Sequence, residues 1–201
     1  MLDSASAAAY LAETEEVDYG DPRVRELAAR LREQADGEIG FAKAAFEYVR
    51  DRIAHSWDIQ SSRVTAKASE ALRFGEGICY AKSMLLAALL RSEGVPAGFC
   101  YQRLTLGDTP DTGYCVHALN AVYLGELGRW VRLDARGNKP GVQAEFSLGE
   151  ERLAFPVRPA YGEIDYPGVY ASPHPATVSA LKNAADLLAL YRAGLPTALE
   201  A

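Results

Sequence analysis

Apolar positions recur at helical spacing at the start of the chain. Asp21-Pro22 reads as an N-cap followed by a proline at the first helical position, and Val24, Leu27, Ala28 and Leu31 then repeat until Gly37. This predicts an amphipathic surface helix over 21–36. A second, packing helix is predicted from about Gly40 to Ile53, where Phe41, Ala45, Tyr48, Val49 and Arg52 fall on one side. The polar stretch His55 to Lys67 has no period and reads as a loop. Ser69 is placed to cap a short helix through Phe74, and Gly75 and Gly77 mark a change of direction. The run CYAKSMLLAALLRS, Cys79 to Ser92, consists of good helix formers and is apolar nearly all round from Met84 to Leu90, the pattern of a helix buried on most sides. Gly94 and Pro96 end it.

The period then changes. Ala97 to Leu106, Tyr114 to Leu124 and Trp130 to Ala135 are rich in Val, Leu and aromatic residues and are separated by polar or Gly-containing turns, which predicts an antiparallel meander. From Gly137 to Pro175 prolines and glycines recur without period, as in an extended segment wrapped on the surface. Val178, Leu181, Ala185 and Leu188 mark a closing amphipathic helix. Helices, then one buried helix, then sheet is an α+β order, with the central helix packed on an antiparallel sheet. The 201 residues are expected to form one domain over 1–201, with a core at about 41–137 and a C-terminal wrap and helix at about 138–201.

Composition narrows the partners. Hydrophobic residues are 49% and charged residues 24%, enough apolar surface for a real core. The net charge is -6 and the basic residues are scattered, which argues against nucleic acid. No apolar run approaches the roughly 20 residues of a membrane span. The opening stretch is acidic without an apolar leader, so no membrane partner and a cytoplasmic location are expected. Three cysteines (Cys79, Cys100, Cys115) are too few and odd in number for a disulfide framework, which points to a reducing compartment.

Cysteine is therefore the residue type to question. Cys79 opens the buried helix, where unpaired backbone N–H groups and the helix dipole favour an anion. A thiol nucleophile needs a base, and of the three histidines only His117 lies in a predicted strand; His55 and His174 fall in loop-like stretches and are assigned structural roles. The base needs an orienting acceptor, and Asp134 interrupts the apolar strand Trp130 to Ala135. A hairpin closed around Gly125 to Gly128 would bring that carboxylate to the imidazole.

Gly77-Ile78-Cys79, Ala87-Leu89-Leu90-Arg91, Gly94-Val95-Pro96-Ala97, His117-Ala118, Val122-Tyr123, Trp130 and Asp134, in this order, closely resemble the core of the transglutaminase-like superfamily, a branch of the papain-like thiol enzymes. The resemblance covers roughly Phe41 to Gly137. It implies a papain-like α+β fold, with Cys79 as nucleophile, His117 as base and then general acid, and Asp134 as the group that orients His117. The implied reaction is acyl transfer through a thioester at an amide or ester carbonyl, on a peptide, protein or small amide substrate. Leu119 stands where the family commonly has Trp after His-Ala, and Ala135 where Pro usually follows the aspartate. Arg73 stands where papain places an oxyanion-hole Gln. The backbone N–H of Cys79 is one oxyanion donor, and the indole N–H of Trp57 is a candidate for the second.

Rival readings are specific. Cys115 and His117 stand two apart and face the same way on a strand, so a zinc site with Cys79 or Asp134 competes for them. Structural zinc sites bring short Cys or His pairs from two places and here there is one pair, so no metal or other cofactor is expected. Cys100 is assigned to the core. No calcium loop of the EF-hand kind is present, which favours hydrolysis (protease, amidase or deamidase) over cross-linking. Arg132, Arg136 and Lys139 could meet an acidic group, although a solvated charged face explains each. The loop Gly107 to Gly113 and the wrap after Gly137 are placed to border a cleft. A catalytically inert binding or scaffold module of the same fold is the alternative function.

Overall fold

The computed structural model describes residues 4–200; residues 1–3 and 201, the ends of the expected 1–201 span, lie outside the described residues. Helices α1 (Ser4–Ala9), α2 (Pro22–Glu33), α3 (Gly37–Arg52) and α4 (Ala68–Phe74) lead to α5 (Cys79–Ser92). Asp21 caps α2 as its sequence predicts, its carboxylate accepting from the Arg23 N–H at 2.9 Å with Pro22 inside the first turn. Helix α3 begins three residues before the expected start near Gly40. The reason is tertiary: Glu126 accepts from the Glu38 N–H at 2.9 Å, and Glu38 accepts from the Glu126 N–H at 3.2 Å. Gly37 takes a left-handed φ of +68°, which a residue with a side chain rarely adopts.

Ser69 does not cap α4, whose N-cap is Lys67. Instead the Ser69 N–H donates to Asp18 at 2.9 Å and its hydroxyl donates to the same carboxylate, so the cap comes from 51 residues upstream. The stretch after α3 is also more ordered than a loop. Strands β1 (Ala54–His55) and β2 (Glu76–Gly77) pair in parallel, His55 against Gly77.

Helix α5 is buried from Tyr80 to Arg91 and is the axis of the core. Its buried cations, Lys82 and Arg91, bond other elements. Lys82 donates to the Arg50 and Ile53 carbonyls at the end of α3, and Arg91 donates to the carbonyls of nearby Ala97 and of Ala12 and Ala171, drawing two distant segments together.

The predicted meander is present: β3 (Ala97–Thr105), β4 (Tyr114–Leu124) and β5 (Arg129–Leu133) are antiparallel neighbours. A fourth strand, β6 (Ile164–Asp165), comes from the wrap and pairs with β3, giving the order β5-β4-β3-β6. Val116, Ala118 and Val122 face the main core, and Asn120 among them donates to the Ser83 and Gly98 carbonyls at 3.0 and 3.1 Å. Leu119, Ala121 and Cys100 pack on the other face under Trp130, Leu153 and Val169. Gly98 permits that crossing: a Cβ there would lie 2.4 Å from Val169 Cγ1.

The closing helix is two helices, α6 (Pro175–Lys182) and α7 (Leu187–Ala193). His174 caps the first through its ring, and Asp186 caps the second, accepting from the Ala189 N–H at 2.8 Å. The cap at Asp186 restarts the helix inside a pattern whose spacing reads as continuous. Among the described residues no helix is long and apolar enough to cross a membrane.

Asp18→Ala is expected to lower stability by about 1–2 kcal/mol in chemical denaturation, because it removes the cap of α4. Asp18→Asn is expected to recover most of that loss.

Candidate active site

Cys79 is the first residue of α5, and its N-cap residue, Ile78, supplies no side-chain cap. The N–H groups of the first turn are thus left for something other than the protein's own side chains. Gly77 owes its identity to packing, since a Cβ there would lie 3.0 Å from both Thr65 Oγ1 and Ala81 Cβ. Neither it nor Gly75 lines the cavity.

The turn at 125–128 closes the hairpin as expected and sets Asp134, just past β5, beside His117 of β4. His117 Nε2 and Asp134 Oδ2 are 2.8 Å apart, both residues buried. The same carboxylate accepts from the backbone N–H of Ala154 at its Oδ2 and of Arg136 at its Oδ1, each at 3.1 Å. The Phe155 ring stands edge-on to the imidazole at 5.3 Å. With Nε2 committed to Asp134, Nδ1 is the nitrogen left free, and the Cys79 side chain is among the groups that favour the charged imidazole.

Charge follows from this geometry. Burial works against a charged imidazole, but the Asp134 carboxylate, reinforced by Cys79, outweighs it and raises the His117 pKa well above its ordinary 6.5. Burial likewise works against the Asp134 carboxylate; His117 and the two backbone N–H groups prevail and hold its pKa below 3.8. The pair is therefore imidazolium and carboxylate at neutral pH.

Cys79 and His117 open on a cavity of about 720 Å³. Gly107 and Asp108 border it on one side, and Lys139 to Val142 of the wrap on another, as their positions in the sequence suggest. Trp57 also lines it, its ring stacked on Tyr191 at 4.3 Å. Cys115 lines the cavity as well, but burial pushes its thiol up to about 12, and the same holds for Cys100 in the second cluster. Among the described residues no group of three or more His, Cys, Asp or Glu side chains is arranged to hold a metal ion.

The three cations separate. Arg132 is outside the cavity, bonded to Glu151 and Asp165. Arg136 and Lys139 line it and converge on one carboxylate, Asp58. Arg73 is exposed, near the Phe74 ring, and does not reach the cavity. His174 is the structural residue expected. His55, assigned a structural role from the sequence, is buried in a short strand and lines the cavity. Its only sequence signal is the short apolar run Ile53-Ala54 before it, too brief to mark a strand.

The model of the transglutaminase-like superfamily matches residues 25–135, more than half of the chain. The chain belongs to the transglutaminase-like superfamily. Its fold is similar to that of a "putative cysteine protease" from Cytophaga hutchinsonii, with 19% identity and a TM-score of 0.54 over 67% of this chain and 43% of that one. It is also similar to the periplasmic domain of TgpA from Pseudomonas aeruginosa, at 20% identity and a TM-score of 0.50 over 66% of this chain and 47% of that one. The chain thus spans less than half the length of these solved relatives. No curated protein matches it. The α+β superfamily fold, a buried helix against an antiparallel sheet, is the one expected from the order of the elements, and the superfamily is one of thiol-dependent enzymes.

Asp134→Ala leaves a buried imidazolium and two buried N–H groups unpaired, so it is expected to cost about 3–5 kcal/mol of stability near pH 6. The raised His117 pKa makes the pair's contribution complete below about 6.5 and lost progressively as the pH climbs through the raised value. The lowered Asp134 pKa keeps it present above 3.8, to be lost only as the pH falls through the depressed value. Denaturation of both proteins across pH is therefore expected to show a deficit that is widest between about 4 and 6.5 and narrows toward alkaline pH.

Proposed function

We propose that this chain is a cysteine hydrolase of amide or ester bonds, with Cys79 as nucleophile, His117 as base and general acid, and Asp134 as the group that orients and charges His117. The observation that carries the reading is the arrangement itself. A thiol at a helix start opens on a cavity, against an imidazole whose other nitrogen is fixed by a buried carboxylate.

With the proton of Cys79 already held on His117 Nδ1, the sulfur adds to the substrate carbonyl while the π pair moves to oxygen. When that pair returns, the C–N or C–O bond breaks and the leaving group takes the proton from His117. Water, deprotonated by the same imidazole, then attacks the thioester, and the carbonyl–sulfur bond breaks to release the acid. Asp134 stays ionised throughout and holds the imidazole in one orientation. Water is the proposed acceptor because the second half of the reaction then needs only a molecule poised by His117. The substrate is a peptide, protein or small amide whose carbonyl enters the cavity.

We also read the chain as one domain, since a single apolar cluster joins Val17 to Leu190. Three unpaired cysteines suit a reducing compartment, and on that ground we place the protein in the cytoplasm.

Brief treatment with iodoacetamide from pH 5.5 to 8.5, read by site-resolved mass spectrometry, tests the nucleophile. Cys79 is expected to react ahead of Cys100 and Cys115 even at pH 5.5, and His117→Ala to slow it at least about 10-fold. Unselective labelling, unchanged in His117→Ala, would make the chain an inert binding or scaffold module.

A further inference from the structure

The cavity differs in charge from the chain that encloses it. Over the whole sequence 27 acidic residues stand against 21 basic ones. In the lining Arg136, Lys139, Arg158 and Arg192 face only Asp108 and Glu163, and Asp58 touches two of those cations from outside the lining. A substrate responds to the charges that the protein has not already neutralised.

Two of the four cations are matched within the wall. Arg158 is held by Glu163 at 2.7 Å, and that carboxylate also accepts from the backbone N–H groups of Thr105 and Arg158. Arg136 is buried, with Nη1 and Nη2 on the two oxygens of Asp58, the second at 2.9 Å. Each of these guanidinium groups has a carboxylate in place.

The other two are not matched. Lys139 donates to Asp58 Oδ1 at 2.8 Å, an oxygen that it shares with Arg136, so one carboxylate serves two cations and leaves a positive excess. The Lys139 side chain is 40% exposed, and an ammonium has three donors, so a ligand can reach it without breaking the bond to Asp58. Arg192 is exposed on α7 and has no hydrogen-bond or ion-pair partner among the described residues. Against these two stands one carboxylate of the lining without an ion pair among the described residues, Asp108 on the Gly107 side. The excess is positive, and a recess concentrates its field on whatever enters.

We propose that Lys139 and Arg192 select a substrate that carries a carboxylate near the carbonyl attacked by Cys79, on an acidic side chain or at a chain terminus. The proposal rests on Cys79 acting as the nucleophile, which brings the carbonyl into this cavity. Lys139 and Arg192 meet the substrate away from the reacting atoms, so they set its identity and leave the chemistry to Cys79 and His117.

Three probes that alkylate a thiol with loss of chloride test this at pH 7.5 and low salt. They are N-chloroacetyl-glutamine amide, its charged isostere N-chloroacetyl-glutamate α-amide, and N-chloroacetyl-glutamine with a free α-carboxylate. Rates at Cys79 are read by site-resolved mass spectrometry, and each charged-to-neutral ratio is divided by the same ratio for N-acetylcysteine, so that differences in thiol reactivity cancel. One or both charged probes are expected to be favoured about fivefold, and the favoured one identifies the carboxylate as side chain or terminus. Lys139→Gln and Arg192→Gln are each expected to lower that preference about twofold, as exposed charge pairs do, and the double substitution to abolish it. Lys139→Arg is expected to retain it, and about 0.5 M NaCl to suppress it. A ratio equal to that of N-acetylcysteine, or a preference that survives the double substitution, overturns selection by Lys139 and Arg192 while leaving the nucleophile standing. Failure of every probe to label Cys79 ahead of Cys100 and Cys115 overturns the nucleophile and this proposal together.

Discussion

The buried Asp134 carboxylate and the His117 imidazole it holds set the terms for everything around them. A carboxylate taken out of water is costly unless its oxygens are fully engaged, and here three donors converge on it from separate places. One is the imidazole of β4, and the others are the backbone N–H groups of Arg136, after β5, and of Ala154, in the wrap. The third explains why the long irregular segment matters. Without 154 in position one N–H bond is lost, so the wrap is part of the site's electrostatics as well as a cover for the sheet.

The same logic recurs through the scaffold. Helix α5 must present Cys79 at the cavity, and it is fixed there by buried polar contacts as much as by leucines. Lys82 closes the end of α3, Asn120 of β4 bonds the Ser83 carbonyl, and Arg91 gathers the carbonyls of two remote segments, at Ala12 and Ala171. Such contacts are directional, so they fix the helix's rotation and height where apolar packing alone leaves some latitude. The two-residue pairing of β1 with β2 then brings His55 and Trp57 to the cavity from the far side of the chain.

What could be read in the sequence follows from where each partner comes from. The buried helix is legible because its apolar residues are contiguous, and the meander because its strands are joined by short turns. Cys79, His117 and Asp134 are legible because their chemistry and order are distinctive, and the hairpin that joins the last two is local. The N-terminus of α4 is not, since its cap is Asp18, and the start of α3 depends on Glu126. Strand β6 is two residues long and exists only against β3. The break before α7 hides inside an unbroken helical spacing, because Leu187 and Leu190 bury on a new axis. The place of His55 in the cavity wall is hidden for a related reason: the apolar run before it, Ile53-Ala54, is too short to mark a strand, and only the pairing with β2 makes it part of a wall.

The central claim is that Asp134 keeps His117 charged, with Nε2 committed and Nδ1 turned to Cys79. Nitrogen-15 NMR of the His117 ring tests it most directly, comparing the unsubstituted protein with Asp134→Asn at pH 7.5. Both ring nitrogens are expected to be protonated in the first, with the Nε2 proton in a strong hydrogen bond, and the imidazole to be largely neutral in the second. A His117 ring that is neutral at pH 7.5 in the unsubstituted protein, and titrates near 6.5 with or without the carboxylate, would contradict the account.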